Sequence, residues 1–130
     1  MSSSVFDASA VLAVLNRERG HEHAEADFFG ATISAVNYGE VLKKTIEKGG
    51  SIVKTQMFLA KQDLKVIPFD RQHAVAAAEI YPASKVYGLS FADRACMSLG
   101  MILDTPIVTA EEDMGKVDLP VTVKLIRKRH

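Results

Sequence analysis

The chain has 130 residues, of which 48% are hydrophobic and 25% charged, with a formal net charge of zero and one cysteine. Such a length and balance fit one folded domain with a sizeable core, and exclude a disordered, fibrous or internally disulfide-bonded chain. Neutrality also excludes recognition of nucleic acid or membrane by bulk charge, so any such partner must meet a local patch.

No apolar run approaches the roughly 20 residues of a membrane span. The start Met1-Ser2-Ser3-Ser4 lacks the basic and apolar parts of a secretion signal. The expectation is a single soluble domain over residues 1–130, cytoplasmic and without membrane association.

In chain order, residues 3–6 read as a short buried strand that leads into Asp7. Ala8, Val11, Leu12 and Leu15 then share one helical face, and residues 16–20 end that first helix, with Gly20 as its C-terminal turn. A second helix is predicted over 21–29, stopped near Gly30, and a short strand over 31–33. The third helix places Tyr38, Val41, Leu42 and Thr45 on one face. Asn37 and Glu40 have capping-box spacing within it, although Ser34 offers an earlier start.

Gly49-Gly50 breaks the chain. The fourth helix, about 51–62, carries apolar residues on more than one side (Ile52, Val53, Met57, Phe58, Leu59), which suggests that one side meets a partner chain. A strand at 64–68 follows. Asp70 caps an alanine-rich helix running through Tyr81, which Pro82 closes, and 83–89 reads as a loop.

Ser90 and Asp93 then form a capping-box pair at the start of a helix. Ala92, Ala95, Cys96, Leu99, Ile102 and Leu103 make its apolar stripe. A strand covers 105–109. Thr109 and Glu112 again have capping-box spacing before a helical turn at 111–116, and a last strand at 121–125 leads to a basic tail, 127–130. Short strands alternating with helices predict a three-layer α/β/α sandwich on a mostly parallel sheet.

Asp7, Glu40, Asp93 and the Glu111/Asp113 pair each fall at a strand-to-helix turn or in the first turn of a helix. Each could merely cap a helix. In an open parallel sheet, however, such turns gather at one edge, and sites form where strand order reverses. Carboxylates collected there raise one another's pKa, and a hard divalent cation such as Mg²⁺ or Mn²⁺ relieves the repulsion. No Cys or His spacing offers a rival zinc site.

Four segments carry a family resemblance: Val5-Phe6-Asp7-Ala8-Ser9-Ala10, Ile33-Ser34-Ala35-Val36-Asn37-Tyr38-Gly39-Glu40-Val41, Gly88-Leu89-Ser90-Phe91-Ala92-Asp93-Arg94-Ala95-Cys96 and Val108-Thr109-Ala110-Glu111. In order and spacing they resemble the PIN-domain ribonucleases, and within these the VapC toxins of bacterial toxin–antitoxin pairs. The resemblance covers essentially the whole chain. It implies a PIN-like fold and a Mg²⁺- or Mn²⁺-dependent endoribonuclease that hydrolyses RNA with activated water. It further implies a homodimer through the third and fourth helices, and an antitoxin partner that brings the DNA-binding part.

By the same resemblance Asp7, Glu40 and Asp93 match the core metal-binding acids, and Glu111 stands where the family usually has Asp. Asp113 matches a further acid, Ser9 a hydroxyl beside the first acid and Asn37 a polar residue before the glutamate. Met114 stands where an aromatic is frequent. The longer Glu111 implies weaker or Mn²⁺-favoured activity.

Among other residues, Cys96 reads as a small core hydrophobe, and His21 and His23 as solvated side chains. His73 is placed at an exposed helix start with no role. Lys43, Lys44 and Lys48 form either a solvated face or a phosphate-tracking patch near Glu40. Arg94 is expected to contact substrate or to pair with an acid across the cleft. The tail 127–129 could bind RNA, and no aromatic platform for base stacking is evident. The alternatives are a non-catalytic member that binds RNA or a partner, its metal site impaired by Glu111, and a phosphoacceptor domain. Glu40 on the third helix argues against the latter.

Overall fold

The structure is a computed structural model that describes residues 4–128. Its strands are β1 (Val5–Phe6), β2 (Thr32–Ser34), β3 (Lys65–Ile67), β4 (Ile107–Thr109) and β5 (Val123–Leu125). Its helices are α1 (Ala8–Asn16), α2 (His21–Glu25), α3 (Ala35–Glu47), α4 (Ile52–Lys61), α5 (Arg71–Glu79), α6 (Tyr81–Ser84) and α7 (Phe91–Leu103), with 3-10 turns at Lys85–Tyr87 and Glu112–Lys116. The sheet order is β3-β2-β1-β4-β5, and every pair is parallel.

Strand alternation builds the layers. Val5 and Ile107 point to one face and pack with Cys96, Met97 and Leu99 of α7. Phe6 and Val108 point to the other, with Val11 and Val14 of α1, Phe28 and Leu59 of α4. Both faces of the central strands are therefore buried, as a parallel sheet requires. The three-layer α/β/α expectation holds. Cys96 is fully buried in the core, and burial pushes its thiol pKa well up.

Several sequence expectations are corrected. Residues 83–89 are not a loop: α6 and a 3-10 turn occupy most of them. Pro82 lies in the first turn of α6, where its missing N–H removes no bond, so it opens a helix rather than closing one. Helix α2 ends at Glu25, short of Phe29. Helix α3 starts at the earlier of the two candidate points. Ser34 caps it, accepting from the Val36 N–H at 3.2 Å, and Asn37 is a residue of the first turn rather than a cap.

Thr109 and Glu112 do not form a capping box, because the Thr109 hydroxyl is used elsewhere. Helix α7 does not bury a narrow stripe. Residues 95–100 are buried in succession while Leu103 is 42% exposed, since layers close over the middle of the helix from several sides. On α4 only Leu59 is buried, and Val53, Met57 and Phe58 face outward. His73 is buried, not exposed: only 5% of it reaches solvent, and its ring packs edge-on against Phe69. His21 is held by Glu25 at 2.8 Å. Arg129 and Ser3 lie outside the described residues.

Close packing of α7 on the sheet depends on Gly100. A Cβ there would lie 2.7 Å from Cγ1 of Ile107 and 3.1 Å from Cγ2 of Val121. Gly39 in α3 meets open space instead. Gly100→Ala is expected to destabilise the fold by about 1–3 kcal/mol through overpacking. Gly39→Ala is expected to stabilise it by about 0.5–1 kcal/mol through helix propensity. Urea denaturation of the two variants checks both signs.

Candidate functional site

Strand numbers run outward from β1 in both directions, 1-2-3 on one side and then 4-5 on the other, so strand order reverses between β1 and β4. A crevice opens beyond the carboxyl ends of strands at such a point. Asp7 directly follows β1, and Thr109 ends β4.

Asp7 is the N-cap of α1. Its Oδ1 accepts from the Ala10 N–H at 3.0 Å and the Ser9 hydroxyl at 2.7 Å. Its Oδ2 accepts from the Thr109 hydroxyl at 2.5 Å. Thr109 Oγ1 in turn accepts from the Glu111 N–H, and Ser9 Oγ from the Ala110 N–H, both at 2.9 Å. The two strand ends are thereby knitted together around one carboxylate. Asp7 is 3% exposed, and burial, with the charge of Asp93 adding, outweighs these three donors and pushes its pKa up to about 6.

Asn37 joins Glu40 to the helix that carries Asp93. Its Nδ2 donates to the Ala92 carbonyl of α7 at 3.0 Å and to Glu40 Oε1 at 3.3 Å, while its Oδ1 is buried with no protein partner. Half-burial raises the Glu40 pKa, and Asp93 raises it further. Asn37, Lys43 and Lys44 oppose the shift. Asp93 completes a capping box: its Oδ2 accepts from the Ser90 N–H at 2.9 Å and its own N–H donates to Ser90 Oγ at 3.1 Å. It caps a helix and also lines a cavity.

That cavity, about 180 Å³, is lined by Asp7, Ser9, Asn37, Glu40, Asp93 and Glu111, with Lys44 at its rim. Four of the acids singled out in the sequence thus meet in one place. Asp113 does not line it: the side chain pairs with Lys116 at 3.0 Å and faces the adjoining groove.

Arg94 does not pair with an acid across the cleft. Its Nη1 donates to the Ala77 carbonyl, and the guanidinium lies 5.1 and 5.5 Å from the ring centroids of Tyr81 and Phe91, so it holds α7 to α5 rather than facing an acid. Lys43 and Lys44 sit 3.6 and 3.7 Å from Glu47, in exposed pairs of little energetic weight. Thr109 is the residue that sequence reasoning missed. Its signal was a hydroxyl at the last position of the strand that neighbours β1 across the switch point.

The donor set fits a hard cation. The carboxylates of Asp7, Glu40, Asp93 and Glu111 and the Ser9 hydroxyl offer oxygen ligands, and Asn37 adds a buried oxygen without a protein partner. Among the described residues no three His, Cys, Asp or Glu side chains converge closely enough to form a ready-made cage. Oxygen ligands of this kind suit Mg²⁺, which takes one or two carboxylates and keeps several waters, better than zinc.

The PIN domain family model matches residues 4–119. No curated protein sequence compared with the chain matches it. Among solved structures, a toxin–antitoxin complex from Klebsiella pneumoniae is similar with a TM-score of 0.79, at 16% identity over 98% of this chain and 100% of that one. DNA-bound VapBC from Salmonella typhimurium is similar with a TM-score of 0.71, at 16% identity over 98% of this chain and 100% of that one. VapBC2 from Rickettsia felis, bound to a DNA fragment from its promoter, also has a TM-score of 0.71, at 12% identity over 94% of this chain and 97% of that one. At these identities the likeness is one of fold.

The raised Asp7 pKa has a definite sign in stability. Ionising Asp7 costs more in the folded chain than in the unfolded one. Its contribution is therefore complete below about pH 3.8 and is lost as pH rises through about 6. In EDTA, the parent is expected to gain about 1–2 kcal/mol more than Asp7→Asn on moving from pH 7.5 to pH 5. Parallel urea-denaturation profiles for the two proteins would contradict this.

Proposed function

The chain belongs to the PIN domain family, and on that premise we propose that it is a metal-dependent endoribonuclease acting as the toxin of a toxin–antitoxin pair. One observation carries the reading: Asp7, Glu40, Asp93 and Glu111 line one cavity at the switch point of a parallel sheet. Carboxylates so placed gain little from one another and much from a divalent cation.

Asp7, Glu40 and Asp93 would hold Mg²⁺ or Mn²⁺, with Glu111, and Asp113 from the adjoining groove, supporting from the β4 side. When bound, the cation supplies Lewis-acid chemistry, polarising a phosphoryl oxygen and making water a better nucleophile at neutral pH. Ser9 and Thr109 fix the orientation of the Asp7 carboxylate, and Asn37 that of Glu40. Lys44 places a positive charge where the RNA phosphate would enter. Glu111 begins its turn with its backbone N–H held by Thr109, so its extra methylene extends from an anchored base.

Similar folds occur in toxin–antitoxin complexes, which supports a protein antitoxin as partner. Any DNA contact would then come through that antitoxin. Outward-facing Ile46 on α3 and Val53, Met57 and Phe58 on α4 support a homodimer through these helices. No helix among the described residues is long and apolar enough to cross a membrane, and a cytoplasmic location is part of the proposal. A second reading, RNA or partner binding without cleavage, is favoured by Glu111, whose side chain is one methylene longer than the Asp the family usually has at that position.

Incubation of a structured RNA pool with purified protein in Mg²⁺, Mn²⁺ or EDTA separates the two. Cleavage that needs the cation and falls by ~100-fold or more in Asp93→Asn is expected. Cleavage unaffected by EDTA and by the substitution would overturn the proposal, and RNA binding without cleavage in either cation would favour the second reading.

A further inference from the structure

The acid cavity is the middle one of three adjoining grooves. It shares Leu12 and Lys44 with a groove of about 310 Å³ that also contains Lys48. It shares Glu111 with a groove of about 380 Å³ that contains Arg19, Arg127 and Lys128. Both adjoining grooves therefore contain cations, although the chain as a whole is neutral.

The second cationic group is built, not incidental. Arg19 follows α1, and Arg127 and Lys128 follow β5, more than a hundred positions later. Arg19 Nη2 donates to the Lys128 carbonyl at 2.7 Å, and Arg127 Nη1 donates back to the Arg19 carbonyl at 2.9 Å and to Glu18 at 3.2 Å. Between them Gly20, at φ +91°, passes so close to the chain that a Cβ would lie 2.5 Å from the Ile126 carbonyl oxygen. The Ile126 N–H donates to the carbonyl of Thr109, the residue whose hydroxyl holds Asp7. The cations are thus registered to the carboxylate site through a short chain of hydrogen bonds. Each guanidinium carries five N–H donors, and the contacts above use only some of them.

We infer that these grooves form one track for single-stranded RNA, in which Lys44 and Lys48 hold backbone phosphate on one side of the carboxylates and Arg19, Arg127 and Lys128 hold it on the other. The inference rests on the ribonuclease reading for its ligand. The far groove is lined as well by Glu111, Glu112 and Asp113. Lys116 lines none of the three grooves and is not part of the track.

The test uses full-length protein carrying Asp93→Asn, a fluorescent single-stranded oligoribonucleotide and anisotropy over a series of salt concentrations. Adding Arg19→Gln with Lys128→Gln removes two cations. It is expected to weaken binding roughly 25-fold at 0.1 M salt and to reduce the slope of log K against log salt by about 1.4. Lys128→Gln alone keeps the backbone clamp, because only the Lys128 carbonyl takes part in it, and is expected to give about half that change in slope. Lys61→Gln, at the far end of α4, is expected to change neither quantity. Unchanged affinity and slope in both track variants, while the unsubstituted protein cleaves RNA, would overturn the track and leave the ribonuclease reading standing. Absence of RNA binding and cleavage by the unsubstituted protein would overturn both.

Discussion

A carboxylate almost wholly withdrawn from water is costly to ionise, and Asp7 is in that position even with donors from Ser9, Ala10 and Thr109 around it. The same three bonds that hold its geometry fail to restore its usual acidity, because burial is the larger effect and Asp93 adds to it. Here the fold maintains a local cost that a cation would remove. Everything else at the site is arranged around this group. Thr109 joins β4 to it, Ser9 joins Ala110 to it, and Asn37 joins Glu40 to the helix that presents Asp93.

The parallel sheet explains why these groups meet. Residues from positions 7, 40, 93 and 111 are far apart in sequence, yet Asp7 and Glu111 follow strands, Asp93 lies in the first turn of α7, and Glu40 lies one turn further into α3 than the sequence pattern suggests. Strand order reverses between β1 and β4, so the turns after them diverge and leave room for side chains rather than for packing. Capping a helix and lining the cavity do not compete at Asp93. One carboxylate oxygen completes the capping box, and the same geometry holds the side chain at the cavity wall. An acid at a helix start can therefore be a cap and a site residue together.

This much was legible in the sequence, since it follows from alternation of strands and helices and from acids placed at element starts. Features that depend on which side a residue faces were not. Arg94 stands next to Asp93 in the chain, but about 100° of helical rotation separates them, enough to carry its guanidinium to the rings of Tyr81 and Phe91. His73 follows the cap of α5 and reads as exposed, whereas packing against Phe69 buries it. Asn37 and Glu40 have the spacing of a capping box, but Ser34 wins the cap, and the pair instead links α3 to α7. Thr109 reads as a local cap in the sequence because its long-range partner, Asp7, lies 102 positions away.

The carboxylate cavity is expected to take up a divalent cation. Calorimetric titration of the metal-free protein with Mn²⁺ at pH 7.5 measures this without reference to any RNA. Saturable binding is expected, weakened by ~10-fold or more in both Asp7→Asn and Glu40→Gln, with both variants folded. No binding, or binding of equal strength in the parent and both variants, would contradict it.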